Sequence, residues 1–245
     1  MIADIGTVMW KEWKELFLNR SSLRGGLWNM LFSLAIFGIF LPLQFKQTWL
    51  DSAWTVFWVL FISSFWTTSF IADTFAGERE RHTLETLLAS RLSNRAILFG
   101  KLGAVVSYVW GQVLASLLLG VLTVNVIEWQ GQFVFYRPSV AVGAAGLSLL
   151  GIGLVAGLGI LISLRAPTAR LAQQRLLIPI TIVLLLPSVG AMILPADQQA
   201  RFFEWLMEAE MNSLVLGAMA ALLMVDAALL MAALARFQRA KLLLD

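Results

Sequence analysis

The sequence predicts an all-α membrane protein: six spanning helices behind an N-terminal amphipathic helix, with both termini cytoplasmic. Three observations predict it. Of 245 residues, 59% are hydrophobic and 13% charged, and a soluble fold of that composition would present far more apolar surface than water tolerates. The charge falls in short stretches between apolar runs, six of which approach the roughly 20 residues a helix needs to cross about 30 Å of hydrocarbon. The basic residues also segregate. Lys11, Lys14, Arg20 and Arg24, the five between Arg79 and Lys101, then Arg165, Arg170, Arg175, Arg236, Arg239 and Lys241 fall on one side, against Lys46, Arg137 and Arg201 on the other. That imbalance puts the first group in the cytoplasm, and the alternation requires an even number of spans.

Residues 1–20 carry Ile2, Ile5, Met9, Trp13, Leu16 and Phe17 at helical spacing, with Lys11, Glu12, Lys14 and Glu15 assigned to the opposite side. This reads as an interfacial helix, either a plain anchor or an elbow that positions the first span. No cleavable leader is expected, because these charges precede a full-length apolar run. Spans are expected at Gly25–Gln44, Ser52–Ala72, Leu102–Ile127, Ser139–Leu164, Leu176–Pro195 and Ser213–Ala235. Lipid offers the backbone no hydrogen-bond partners, so each must be a helix; the polar–apolar alternation of a barrel strand is missing. The outer connections Gln44–Asp51 and Glu128–Arg137 are short, and Trp49, Trp54 and Trp129 suit an aromatic belt. The acidic stretch Ala196–Asn212 places Phe202, Phe203, Leu206 and Met207 on one side of a short interfacial helix.

The longest cytoplasmic insertion is Asp73–Lys101, dense in acids and bases. It reads as two helical pieces broken near Ser90–Ser93, with Leu84, Leu87 and Leu88 as an apolar stripe. Ser93 is placed to cap the helix leading into the third span. Arg165–Arg175 is a second, smaller loop. No linker divides the chain, so 1–245 is one domain.

Intramembrane catalysis is disfavoured. The single histidine, His82, lies in a loop, there is no cysteine, and only Asp226 sits inside a span, so no Ser/His pair, Asp dyad or metal cluster can form at depth. A charge at such depth costs about 2.5–3.5 kcal/mol on insertion scales. Asp226 is therefore either a coupling or lumen-facing residue, or a packed and hydrogen-bonded carboxyl. Ser64, Thr67 and Thr68 form a polar stripe on the second span, and Gln112 joins Tyr108 and Asn125 on the third. These line a path or bond neighbouring helices. Gly153 and Gly157 permit close helix approach, and Pro179 and Pro187 are candidates to kink the fifth span. Gly100-Lys101 is not a phosphate loop: Arg95 stands where a glycine belongs, and Leu102 stands where Ser or Thr would meet magnesium.

The stretch Glu80-Arg81-His82-Thr83-Leu84-Glu85-Thr86-Leu87-Leu88-Ala89-Ser90-Arg91-Leu92-Ser93, followed by Gly100-Lys101, resembles the permease subunits of ABC-2 type transporters. Those carry an acidic residue, Gly-Thr, a Leu-Leu pair, a Ser/Thr-Pro-hydrophobic-Ser turn and a Gly-Lys opening the third span. The six-span layout and N-terminal helix are similar too. His82 replaces the usual Gly, and Arg91 the usual Pro. The resemblance implies a transport subunit, not an enzyme, of an ABC exporter in a prokaryotic plasma (inner) membrane. It implies that ATP and magnesium are bound by a separate cytoplasmic ATPase subunit, and that a second permease subunit, identical or different, completes the pathway. The coupling loop 73–101 would dock on the ATPase through Glu78, Glu80, Arg81, Thr83, Glu85, Leu87 and Leu88. Ser64, Thr67, Thr68, Gln112 and Asp226 are the candidate pathway lining. The alternatives are an ion-gradient-driven secondary transporter using Asp226, and a membrane scaffold or assembly protein.

Overall fold

The computed structural model describes residues 1–18, 28, 30–83, 87, 89–129, 131–193, 195, 197–199, 201 and 211–236, with only the backbone over 17–18 and 183–192. Among these residues there are helices and no strands. We number them α1 (Ile2–Leu18), α2 (Met30–Phe45), α3 (Gln47–Asp51), α4 (Ala53–Glu80), α5 (Asn94–Ile127), α6 (Pro138–Ser163), α7 (Ala169–Ile193) and α8 (Met211–Arg236).

Four of them, α4, α5, α6 and α8, are long and apolar enough to cross a membrane. Six were expected, and the difference lies in the first and fifth. The described part of the apolar helix α2 runs from Met30; residues 19–27 and 29, where the expected first span begins, lie outside the described ones. The long helix α7 opens with Arg170, Gln173, Gln174 and Arg175, and its side chains over 183–192 lie outside the described ones. It stays helical through Pro179 and Pro187. Phe202, Phe203, Leu206 and Met207 lie outside the described residues.

The centre of the bundle is α6, which touches α4, α5, α7 and α8. Glycine makes this possible, since small residues let helix backbones approach in lipid. A methyl on Gly151 would fall 2.5 Å from Leu60 Cδ1, and one on Gly159 2.3 Å from Ile71 Cγ2, so these two face α4. Gly153 lies against Asp226 and Gly157 against Leu229, both on α8. The Gly153/Gly157 pair therefore packs helices within the chain. The α8 helix is peripheral: along it only Val215, Asp226 and Ala233 are buried. On the other flank α5 is covered by α1 and α2. Wider π-turns interrupt α2 (Leu34–Phe40), α4 (Asp73–Gly77) and α6 (Gly143–Leu147).

Candidate functional site

Lys11, Glu12, Glu15, Glu78 and Lys101 converge where the end of α4, the start of α5 and the length of α1 meet. The Gly100-Lys101 pair makes this junction. A methyl on Gly100 would sit 2.5 Å from Val8 Cβ, so the glycine admits α1 against α5. Lys101 then pins it. Its side chain is 1% exposed, and its Nζ donates to Glu12 Oε1 on α1 at 2.7 Å and to Glu78 Oε1 on α4 at 2.9 Å. Its ammonium also lies 5.5 Å from the centre of the Phe75 ring, within cation–π range. One turn further, the Trp13 indole N–H lies 3.1 Å from Ser107 Oγ and 3.3 Å from the Ala104 carbonyl. Because the glycine is filled and the lysine engaged, the pair has no cradle to offer a phosphate.

Lys11 adds a second cation, 3.4 Å from Glu78, 3.2 Å from Glu15 and 3.7 Å from Glu12. Burial pulls its ammonium down, but Glu12, Glu78 and Glu15 outweigh that and hold it above the ordinary lysine value. The second Glu78 oxygen, Oε2, is buried with no hydrogen-bond partner among the described residues. Glu12 corrects the sequence expectation. It is buried rather than on the solvated side, because it shares a face with Val8 and Leu16 at i±4.

Of the seven residues expected to couple, five are described. Glu78 is buried in the junction. Glu80 is exposed, and its Oε2 accepts the Ala169 N–H at 3.2 Å. Arg81 pairs with Asp73, its Nη1 3.2 Å from Oδ1. Burial lowers the Arg81 guanidinium, and Asp73 more than restores it. Thr83 closes the turn, its N–H donating to the Glu78 carbonyl at 2.9 Å. Leu87 packs against the core that holds Phe75 and Ile97. Glu85 and Leu88 lie outside the described residues, as does Leu84. The chain breaks at 90–93, and Ser93 caps α5 by accepting the Ala96 N–H at 3.2 Å. His82, at the position where the ABC-2 pattern has glycine, has φ +57°, a left-handed conformation that favours glycine. Glu78, Arg81 and Thr83 line an open groove of about 750 Å³ with Trp10, Lys11 and Lys14 of α1.

The five candidate pathway residues fall in three places, with Ser64, Thr67 and Thr68 together on α4 and Gln112 and Asp226 each elsewhere. Ser64, Thr67 and Thr68 are buried and donate to the carbonyls of Leu60, Ser63 and Ser64 in their own helix. Gln112 bonds the Ser33 hydroxyl of α2 beside a small cavity shared with Trp66 and Ser116. Asp226 lies against Gly153, its Oδ1 without a partner among the described residues.

Sequence reasoning missed Glu12 and the bridging role of Lys101. The signal was there: a carboxylate interrupting an apolar i, i+4 stripe, and a lysine directly after a glycine at the threshold of a long apolar run.

Fold and junction together define a multi-pass helical membrane protein, with charge gathered where a spanning helix turns into its loop. A family model described as ABC-2 family transporter protein matches residues 41–208, and the chain belongs to that family. Comparison with curated proteins and with solved structures gives no match.

Proposed function

We propose that the chain is the permease subunit of an ATP-driven ABC exporter in a plasma membrane. In this reading six spans cross the bilayer, α2 and α7 completing the four long apolar helices, and both termini are cytoplasmic. A second permease subunit forms the pathway with it. ATP and magnesium belong to a separate ATPase subunit that docks on Asp73–Lys101. The interfacial α1 acts as the elbow before the first span.

The observation that supports this reading is the Lys101 bridge. One buried cation ties α1, the end of α4 and the start of α5. A push on the segment after Glu78 therefore moves three elements as one body, the kind of rigid-body motion that carries switching transitions. The chemistry is that of a transmission.

Purification from membranes tests it. A nucleotide-hydrolysing subunit is expected to stay bound, and transport in vesicles to require ATP. Recovery of the permease alone, or modification of Thr83→Cys by an impermeant thiol reagent added outside intact cells, overturns the reading. Transport that persists without ATP and is lost in Asp226→Asn favours the ion-gradient alternative.

A further inference from the structure

Three polar side chains lace the end of α4 to the end of α6 and the short connection from α6 to α7. Ser163, at the end of α6, is buried, and its hydroxyl accepts the Ala76 N–H at 2.9 Å and donates to the Ala72 carbonyl at 3.1 Å. In an α-helix those two groups would bond each other. The Ser163 hydroxyl sits between them instead, where α4 widens into its π-turn Asp73–Gly77; side-chain insertion into the ladder is a known cause of such bends. Arg79 donates from Nη2 to the Leu164 carbonyl at 2.8 Å and from Nη1 to the Ala166 carbonyl at 3.1 Å. These lie at the C-terminal end of α6, where helical carbonyls lack partners and the dipole is negative. Glu80 accepts from Ala169 N–H, the first residue of α7, at the positive pole. Adjacent residues of opposite charge thus hold the opposite poles of two different helices. Beneath them Ala72, Ala76, Ala166 and Ala172 pack as a cluster of small side chains, which brings the backbones close. Further along α4, Gln173 of α7 donates to Ser69 Oγ at 2.9 Å.

The geometry points to a second transmission route. The α6–α7 connection moves with the end of α4, so a stroke delivered to residues 78–83 reaches α6 and α7 as well as α4 and α5. Arg79 and Ser163 are its positioning residues; neither touches cargo or nucleotide. The inference rests on the permease reading. The guanidinium fork suits it because two parallel charge-assisted bonds fix orientation as well as distance, whereas the chain between Ser163 and Ala169 alone would leave the connection free to lag.

The test uses the permease–ATPase complex in nanodiscs, with spin labels on cysteines replacing exposed His82 and Arg165, and a third on exposed Val126 at the far end of α5. The chain has no cysteine of its own. Between nucleotide-free and nucleotide-trapped states, the 82–165 distance is expected to stay constant while 82–126 and 165–126 shift together. Arg79→Gln is expected to let 82–165 change with nucleotide and to cut transport per ATP hydrolysed by about tenfold, on the scale of one charge-assisted hydrogen bond. Arg79→Lys recovers part of that. Ser163→Ala, after which Ala76 N–H can rebond the Ala72 carbonyl, acts in the same direction and keeps the test open if the arginine variant folds poorly. A merely structural role would lower the yield and leave transport per ATP unchanged. A wild-type 82–165 distance that changes with nucleotide, or unaltered coupling in both variants, overturns the inference while the permease reading stands. If no distance responds to nucleotide, both fall.

Discussion

The two ends of the bundle are fastened by different chemistry. At the α1 junction most ties between elements engage a charged side chain, and they join residues far apart in sequence: Lys101 to the carboxylates of Glu12 and Glu78, Arg79 to the Leu164 and Ala166 carbonyls, Glu80 to the Ala169 N–H, with neutral ties from Trp13 and Ser163 beside them. At the opposite end the ties are mostly neutral. The Asn125 side chain exchanges two bonds with the Val134 backbone, both 2.7 Å, the Tyr136 hydroxyl donates to the Leu117 carbonyl at 3.1 Å, and Arg137 N–H reaches the Leu50 carbonyl. Burial pushes the Tyr136 hydroxyl above the ordinary tyrosine value, so it stays a donor. Among the described residues the one ion pair at that end, Lys46 with Glu128 at 3.3 Å, is solvated. A buried ion pair adds little net stability but penalises the loss of either partner, so it specifies one arrangement of the elements it joins. Neutral bonds from a loop to its own helix end stiffen it locally. In the permease reading proposed above, the first end is the one that carries force between helices, and the second holds its local shape.

Replacing a lysine at each end breaks this comparison most severely. Lys101→Met leaves Glu12 and Glu78 buried with only the half-exposed Lys11 to offset them, and a loss at the lower end of about 3–5 kcal/mol is expected. Adding Glu12→Gln and Glu78→Gln should recover most of it, because the uncompensated charge is then gone. Lys46→Met at the solvated pair should cost under about 1 kcal/mol. Thermal unfolding in nanodiscs measures all of these. Equal losses at Lys101 and Lys46 would erase the distinction.

The second break is steric. A methyl on Gly120 would fall 2.9 Å from Tyr136 Oη and 3.1 Å from Trp49 Nε1, and both rings are buried. Gly120→Ala should cost about 1–3 kcal/mol as overpacking and leave transport per ATP unchanged in the surviving protein. A change in coupling would show that this end moves too.

What could be read from the sequence divides along the same line. The long apolar runs, the Ser93 cap and the Gly153/Gly157 contact were legible, because each depends on local composition or on spacing within one helix. The junction itself was only half visible. Glu78 was picked from its loop, but its partners lie on α1 and α5, and a single sequence does not say which of several nearby carboxylates a lysine will meet. Arg79 was hidden for a related reason: near the end of a span, a basic residue that caps a distant helix looks the same as one that only sets orientation. The candidate pathway stripe was legible as polarity and illegible as direction, because Ser64, Thr67 and Thr68 bond their own helix.

The smallest effects concern backbone strain, and they sharpen the comparison instead of breaking it. Among the described residues each end holds one non-glycine residue with positive φ: Lys46 at +52° and His82 at +57°. Lys46 also has ψ −133°, a region that glycine dominates and that stores about 1–3 kcal/mol in other residues. Lys46→Gly removes that strain, loses a solvated ion pair worth under about 1 kcal/mol, and raises the entropy of the unfolded chain; a net gain approaching about 1 kcal/mol is expected. At His82 the left-handed cost of about 1–2 kcal/mol is nearly matched by glycine's unfolded-state entropy. His82→Gly should therefore stabilise by only about 0.5 kcal/mol. Its effect should appear instead in the turn it occupies, which joins Glu78 to Thr83 through the Thr83 N–H bond. Hydrogen exchange at that amide should slow in His82→Gly, because the turn no longer has to open to relieve its strained residue. If exchange there quickens, the histidine is holding the turn by contacts of its own, and strain is not what sets this turn apart from the one at Lys46.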